Sequence, residues 1–158
     1  MNSTPVGLDV AKQLQTAHAR GDSEKIATIL DRLDCGDRAI PEPIFKVVFE
    51  VAMDPTSSEV YDKAADLIVR QGARGINALA AELDGEDSER IANAIEVLYE
   101  AAVHGWIQSQ AIEVSAALGS CLDKRIDLDA DAIDSAHKVI LILTGKGDQV
   151  LKREGLSE

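Results

Sequence analysis

The amino-acid sequence predicts an all-α protein of stacked antiparallel helical hairpins, with about eight helices and a short C-terminal helix. Apolar residues recur at spacings of three and four through most of the 158 residues, whereas the alternating pattern of a half-buried strand is almost absent. The segments between these patterns are short, which favours antiparallel packing of successive helices. We expect a single domain over residues 1–158, because a domain typically has about 150 residues.

The first three predicted helices lie in the N-terminal third of the chain. Leu8, Ala11 and Leu14 mark the first, which is expected to end near Gly21, and Ser23 is expected to cap the second. The apolar face of the second helix consists of Ile26, Ile29, Leu30 and Leu33. Two prolines, Pro41 and Pro43, suit the opening turn of the third helix, which is apolar on most sides from Ile44 to Met53.

Turn and capping residues predict the bounds of the later helices. Asp54-Pro55 ends the third helix, Ser57 or Ser58 caps the fourth, and Asp87 or Ser88 caps the sixth. The fourth, fifth and sixth helices are expected to stop at Gly72, Gly85 and His104-Gly105. The last three are predicted over Trp106 to Leu122, Asp131 to Thr144 and Asp148 to Arg153.

An internal repeat links the fourth, sixth and eighth helices. An offset of 30 lays Asp54 on Asp84 and aligns their apolar faces, with Ala64 on Ala94, Leu67 on Val97 and Ile68 on Leu98. A third copy results when Asp127 is laid on Asp54, which predicts a core face of Ile133, Ile140 and Leu141. In such repeats each hairpin is stabilised by stacking on its neighbours.

The residues that carry this repeat resemble a known family. Ser58 to Gly72, followed by Ile76 to Asp84, is similar to the HEAT/armadillo type of helical repeat, and the likeness covers roughly residues 41–145. The arginine that opens the second helix in that family is Tyr61 in one copy and is displaced to Arg90 in the next. The resemblance implies a right-handed α-solenoid, a scaffold used by binding proteins and less often by enzymes.

The charge of the chain restricts its partners. Sixteen basic against 28 acidic residues give a net charge of -12, which disfavours binding to nucleic acid and to anionic membranes. The segment from Ala81 to Ser120 holds eight acidic residues and one base, Arg90. We therefore predict a surface there for a basic protein partner, made of Glu82, Asp84, Glu86, Asp87, Glu89, Asn93, Glu96 and Glu100.

The equivalent face of the eighth helix is expected to be apolar. It consists of Ala132, Ala136, Val139 and Leu143. An exposed apolar face needs a cover, which the chain's own C-terminus could supply through Val150 and Leu151. A monomer is therefore favoured, and a homodimer through this face is the alternative.

Motifs for metal or nucleophilic chemistry are incomplete. Asp127 to Asp134 resembles a calcium loop but has Ala132 and Lys138 where that loop requires glycine and glutamate, so capping is the favoured role and cation binding stays open. Thr144 to Asp148 lacks the spacing of a phosphate loop. The histidines, at 18, 104 and 137, and the cysteines, at 35 and 121, show no ligand or catalytic spacing. We expect no cofactor and no metal, and we assign no catalytic residue.

The sequence favours a non-catalytic protein–protein interaction module that binds a basic protein segment. A small-molecule carrier or lyase-type enzyme on the same scaffold is the first alternative, and an acidic mimic of DNA is the second. The first ten residues lack a signal-peptide pattern and the longest aliphatic run is Val139 to Leu143, so a cytoplasmic protein is expected.

Overall fold

The structure is a computed structural model that describes residues 6–33, 40–54, 60–107, 109–124 and 127–145. These residues form eight α-helices, with no strand among them, so the all-α prediction is confirmed. The helices are α1 (Val6–Ala19), α2 (Ser23–Leu33), α3 (Glu42–Met53), α4 (Tyr61–Arg70), α5 (Ala73–Glu82), α6 (Ser88–Val103), α7 (Ala111–Lys124) and α8 (Ala130–Leu143). The predicted ninth helix and the capping serines at 57 and 58 lie outside the described residues. Within the described ranges, no helix is both long and apolar enough to cross a membrane.

Contacts within the chain divide it into two compact units, Met1–Gln71 and Gly72–Glu158. One domain over residues 1–158 stays a prediction. In the first unit α1 packs on α2 and α3, and α4 packs on α2 and α3. Its fully buried side chains include Leu14, Ile26, Leu30, Val48, Met53 and Ile68. The prediction that α3 is largely apolar, with proline in its opening turn, is confirmed. Six of its residues are buried, and Pro43 lies in its first turn.

The second unit has the same pattern of helix contacts. Here α5 packs on α6 and α7, and α8 packs on α6 and α7. Its fully buried side chains include Ile76, Leu79, Ile91, Ile95, Leu98 and Leu118. In both units, therefore, the first helix lies against the third and the second against the fourth.

The end of α6 has the hydrogen bonds of a Schellman motif. Gly105 has a φ of 74°, a conformation that glycine adopts without strain. Its N–H donates to Ala102 at 3.1 Å, and the N–H of Trp106 donates to Ala101 at 2.8 Å. The predicted stop at His104-Gly105 is confirmed. The predicted start of the seventh helix at Trp106 was wrong, because the N–H of Trp106 closes α6 and α7 begins only at Ala111.

The alignment of the fourth and sixth helices agrees with burial in the structure. Both helices bury the paired positions, which are Ala64 and Ala94, Leu67 and Val97, and Ile68 and Leu98. Each helix thus turns the aligned face toward the core of its own unit.

The predicted face of the eighth helix was wrong. Ile133 and Ile140 are half-buried and Leu141 is 38% exposed, whereas Ala132, Ala136 and Val139 are buried. These three alanine and valine positions match Ile91, Ile95 and Leu98 of α6 at an offset of 41, whereas the predicted repeat, which lays Asp127 on Asp84, has an offset of 43. An error of two residues rotates a helix face by about 200°, which exchanges its inner and outer sides.

Candidate functional site

The candidate site lies on the second unit, around the first turns and the outer face of α6. It contains the eight predicted partner-binding residues, which fall into three groups. Glu82 ends α5, the acidic loop (Asp84, Glu86 and Asp87) joins α5 to α6, and the acidic stripe (Glu89, Asn93, Glu96 and Glu100) runs along α6. The structure thus places the eight residues at the end of α5, in the α5–α6 connection and on α6.

Glu82 and Arg90 form a bidentate ion pair across the α5–α6 connection. Arg90 Nη2 donates to Glu82 Oε1 at 2.9 Å, and Arg90 Nε donates to Glu82 Oε2 at 3.1 Å. The side chains are only 25% and 14% exposed. Because the planar guanidinium matches the carboxylate, this pair is fixed in orientation as well as in charge. The one base between Ala81 and Ser120 is therefore held by an internal carboxylate.

Asp87 of the acidic loop is the N-cap of α6, and it is one of the two residues that the sequence offered for this role. Its Oδ1 accepts hydrogen bonds from the N–H of Glu89 at 3.0 Å and from that of Arg90 at 3.4 Å. This satisfies two N–H groups that a helix start leaves without partners. Asp84 lies 3.7 Å from Lys124 of α7, and the side chain of Asp84 is 85% exposed and that of Lys124 is 69% exposed. Such an open pair contributes little and is available for exchange with a partner.

The acidic stripe has an open side and a side that borders α8. Glu89 and Glu100 are exposed, whereas Asn93 and Glu96 are half-buried. Ser135 of α8 donates its hydroxyl hydrogen to Glu96 Oε1 at 2.8 Å, which orients that carboxylate without neutralising it. In the described part of the chain, no basic side chain forms a salt bridge with Glu89 or Glu96. The stripe therefore keeps most of its negative charge.

Further acidic residues lie at the start of α8, which packs on α6, and sequence reasoning did not connect them with the stripe. Asp127, just before α8, accepts a hydrogen bond from the hydroxyl of Ser88 at the start of α6. Asp131 and Asp134 are exposed on α8, and Asp134 pairs with Lys138 at 3.2 Å. The contact of α6 with α8 joins this acidic segment to the predicted surface through the bonds of Ser88 with Asp127 and of Ser135 with Glu96.

The carboxylates of the calcium-like segment have structural roles. Asp129 is the N-cap of α8, and its Oδ1 accepts from the N–H of Ala132 at 2.7 Å. Asp127 is bonded to Ser88. Within the described residues, no group of three or more acidic, histidine or cysteine side chains is arranged to hold a metal ion.

The predicted self-association surface is not a surface. Ala132, Ala136 and Val139 are at most 2% exposed, and α8 packs on both α6 and α7. Only Leu143 of the four is partly accessible. The expectation of an exposed apolar face that needs a cover was therefore wrong. The cause is the two-residue error in the alignment of α8 with α6. The proposed cover, Val150 and Leu151, lies outside the described residues.

Two of the histidines take part in specific contacts. His18 Nε2 lies 2.6 Å from Asp54 Oδ2 in the first unit, a pair that joins the end of α1 to the end of α3. His104 stacks on Trp106, with ring centroids 4.6 Å apart and an interplanar angle of 16°. The third histidine, His137, is exposed on α8.

A cleft of about 430 Å³ opens beside the acidic loop. It lies between the end of α5, the α5–α6 connection and the second half of α7. Asp84, Glu86, Ser120 and Lys124 supply polar groups, and the buried thiol of Cys121 forms part of the wall. Cys35 is outside the described residues. Neither the cleft nor the Trp106 stack was predicted, because both depend on how α7 follows α6.

Comparison of the chain with protein-family models, with curated proteins and with solved structures finds no match.

Proposed function

We propose that the protein is a non-catalytic protein–protein interaction module whose acidic loop and acidic stripe bind a basic segment of another protein. The observation that carries this proposal is the internal pairing of Arg90 with Glu82. Arg90 is the only Lys or Arg between Ala81 and Ser120, and this pairing occupies it. Glu89, Glu96 and Glu100 therefore present their charge to solvent and to a partner. A basic segment would be attracted over several carboxylates at once.

The proposed scaffold is a HEAT-like stack of helical hairpins with a right-handed superhelix. Its support is the contact pattern of each unit, in which the first helix lies against the third and the second against the fourth. The burial of matching positions in α4 and α6 adds to that support. In such a stack the outer residues of the second helices vary without altering the core, so they are suited to partner recognition.

The chemistry of the surface favours a protein partner over nucleic acid or a membrane. The carboxylates of the acidic loop and stripe would repel the phosphate groups of nucleic acid and of anionic lipids. A monomer in the cytoplasm is the proposed state. A chain with two cysteines, 86 positions apart, lacks the disulfide density of small secreted domains.

A labelled octalysine peptide tests the proposal through fluorescence anisotropy at low and high salt. Exposed ion pairs contribute about 0.2 to 1 kcal/mol each, so loss of three such pairs lowers affinity by about tenfold. We expect that fall between about 0.05 and 0.5 M salt, because the screening length shortens from about 14 to about 4 Å, which is about the separation of a contacting ion pair. Binding that is unchanged over this range would refute the acidic-surface proposal.

The cleft beside Cys121 favours a second candidate function, a carrier of a small molecule. Its volume of about 430 Å³ is within the range of ligand sites, and its wall combines apolar and charged groups. Native mass spectrometry of the purified protein tests this function directly. A mass increment that disappears on denaturation supports the carrier, whereas the bare mass of 16.9 kDa supports the interaction module.

A further inference from the structure

The second unit exposes an aromatic side chain at the end of the acidic stripe. Trp106 is 47% exposed, although its backbone is fixed by the Schellman bond to Ala101 at 2.8 Å. It directly follows Gly105, which turns the chain out of α6. The indole is thus a large apolar group held at a defined position on the surface, rather than the tip of a loose segment.

His104 fixes the orientation of this indole. Its Nδ1 lies 2.9 Å from the carbonyl oxygen of Glu100, and because that oxygen can only accept, Nδ1 carries the donated hydrogen. The imidazole then stacks on Trp106 at 4.6 Å between ring centroids and nearly parallel to it. One face of the indole is therefore covered by His104, and the exposed part of the residue is available to a second group.

The carboxylate of Glu100 adjoins the same imidazole. Glu100 Oε2 is 3.9 Å from His104 Nδ1, and the side chain of Glu100 is 63% exposed. An exposed indole and an exposed carboxylate thus adjoin one histidine ring, at the end of the acidic stripe. The two groups are complementary to different parts of one chemical group, the guanidinium, which stacks flat on aromatic faces and donates hydrogen bonds to carboxylates.

We propose that Trp106 and Glu100 form an anchor site for an arginine side chain of the basic partner. This inference rests on the proposed function and deepens it, because it selects arginine over lysine. An ammonium group has the charge but lacks the plane, so it would use Glu100 without stacking closely on Trp106. A purely apolar group would cover the indole but would desolvate the carboxylate of Glu100 without pairing it.

The test compares octa-arginine with octalysine, two peptides of equal length and charge. Trp106 is the only tryptophan of the chain, so its emission reports contact at the proposed anchor without any label. We expect octa-arginine to change that emission and to bind about two- to fivefold more tightly than octalysine, as exposed cation–π contacts predict. Octalysine is expected to bind through the stripe with little change in emission.

Three variants separate the anchor from the general acidic surface. Trp106→Leu should remove the preference for octa-arginine and leave octalysine affinity unchanged, and Trp106→Phe should retain part of the preference, because phenylalanine is a weaker cation–π partner. The matched control is Glu89→Gln, which should weaken both peptides equally because Glu89 belongs to the stripe but not to the anchor. Labelled peptides and anisotropy give the affinities of the variants that lack tryptophan.

The outcomes distinguish this inference from the proposed function. Equal, salt-sensitive affinities for the two peptides, with an unchanged Trp106 emission in the wild-type protein, would overturn the arginine anchor and leave the acidic module standing. If neither peptide binds, both the arginine anchor and the proposed function are overturned. Because the Trp106 emission is measured in the wild-type protein, it tests the arginine anchor even if a variant at position 106 fails to fold.

Discussion

Arg90 donates two hydrogen bonds to Glu82, at 2.9 and 3.1 Å, across the connection between α5 and α6. This pair has two consequences. It fixes the entry of α6, and it holds the one basic residue between Ala81 and Ser120 away from the acidic stripe. Stability and surface charge therefore depend on the same contact.

Glu82→Gln tests the contribution of this pair to stability. The substitution keeps the shape of the side chain but removes its charge, and hydrogen bonds to charged groups contribute about 1.5 to 3 kcal/mol. We expect the free energy of unfolding, measured with urea, to fall by about 1 to 3 kcal/mol. The matched control is Asp84→Asn, because the Asp84–Lys124 pair is exposed and a loss below about 1 kcal/mol is expected. Equal losses in the two variants would contradict the account.

Asp129 is predicted to stabilise the protein as a helix cap and not as a calcium ligand. Asp129→Ala should lower the free energy of unfolding by about 1 kcal/mol, whereas Asp129→Asn, which keeps the accepting oxygen, should cost much less. Added calcium should leave the Tm of the wild-type protein unchanged. A rise in Tm with calcium that is lost in Asp129→Ala would assign the segment to cation binding instead.

The register of α8 can be tested by placing a charge on each of its faces. Ala136 is fully buried and Leu141 is 38% exposed. Ala136→Glu should destabilise the protein by about 3 kcal/mol or more, because the carboxylate is buried without a partner and the site lacks room. Leu141→Glu should cost less than about 1 kcal/mol, as expected for an exposed site. Circular dichroism during urea unfolding measures both, and the reverse order would support the alignment with an offset of 43.

The fold class and most helix bounds could be predicted from the sequence because they depend on local patterns. Gly105 after an apolar face ends α6, and Asp87 before such a face begins it. The face of α8 could not be predicted in the same way. Isoleucine and leucine occur on its outer side as Ile133, Ile140 and Leu141, while small residues fill the inner side, so hydrophobicity alone indicated the wrong face.

The acidic surface was predictable in composition but not in arrangement. Counting charges between Ala81 and Ser120 locates it, because helical periodicity places Glu89, Glu96 and Glu100 on one side. The pairing of Glu82 with Arg90 and the approach of Ser135 to Glu96 depend on tertiary contacts that the sequence pattern does not contain. The stack of His104 on Trp106 was missed because Trp106 was assigned to the following helix.

The central claim is that the acidic stripe, rather than the overall negative charge, binds a basic partner. The most direct measurement is the affinity of labelled octalysine for two double variants that each carry a net charge of -10 instead of -12. Glu89→Gln with Glu100→Gln alters the stripe, whereas Asp9→Asn with Glu24→Gln removes two exposed charges from the first unit. We predict that the stripe variant binds about fivefold or more weakly at low salt, and that the control binds within about twofold of wild type. Equal weakening in both variants, or no weakening in either, would contradict the account.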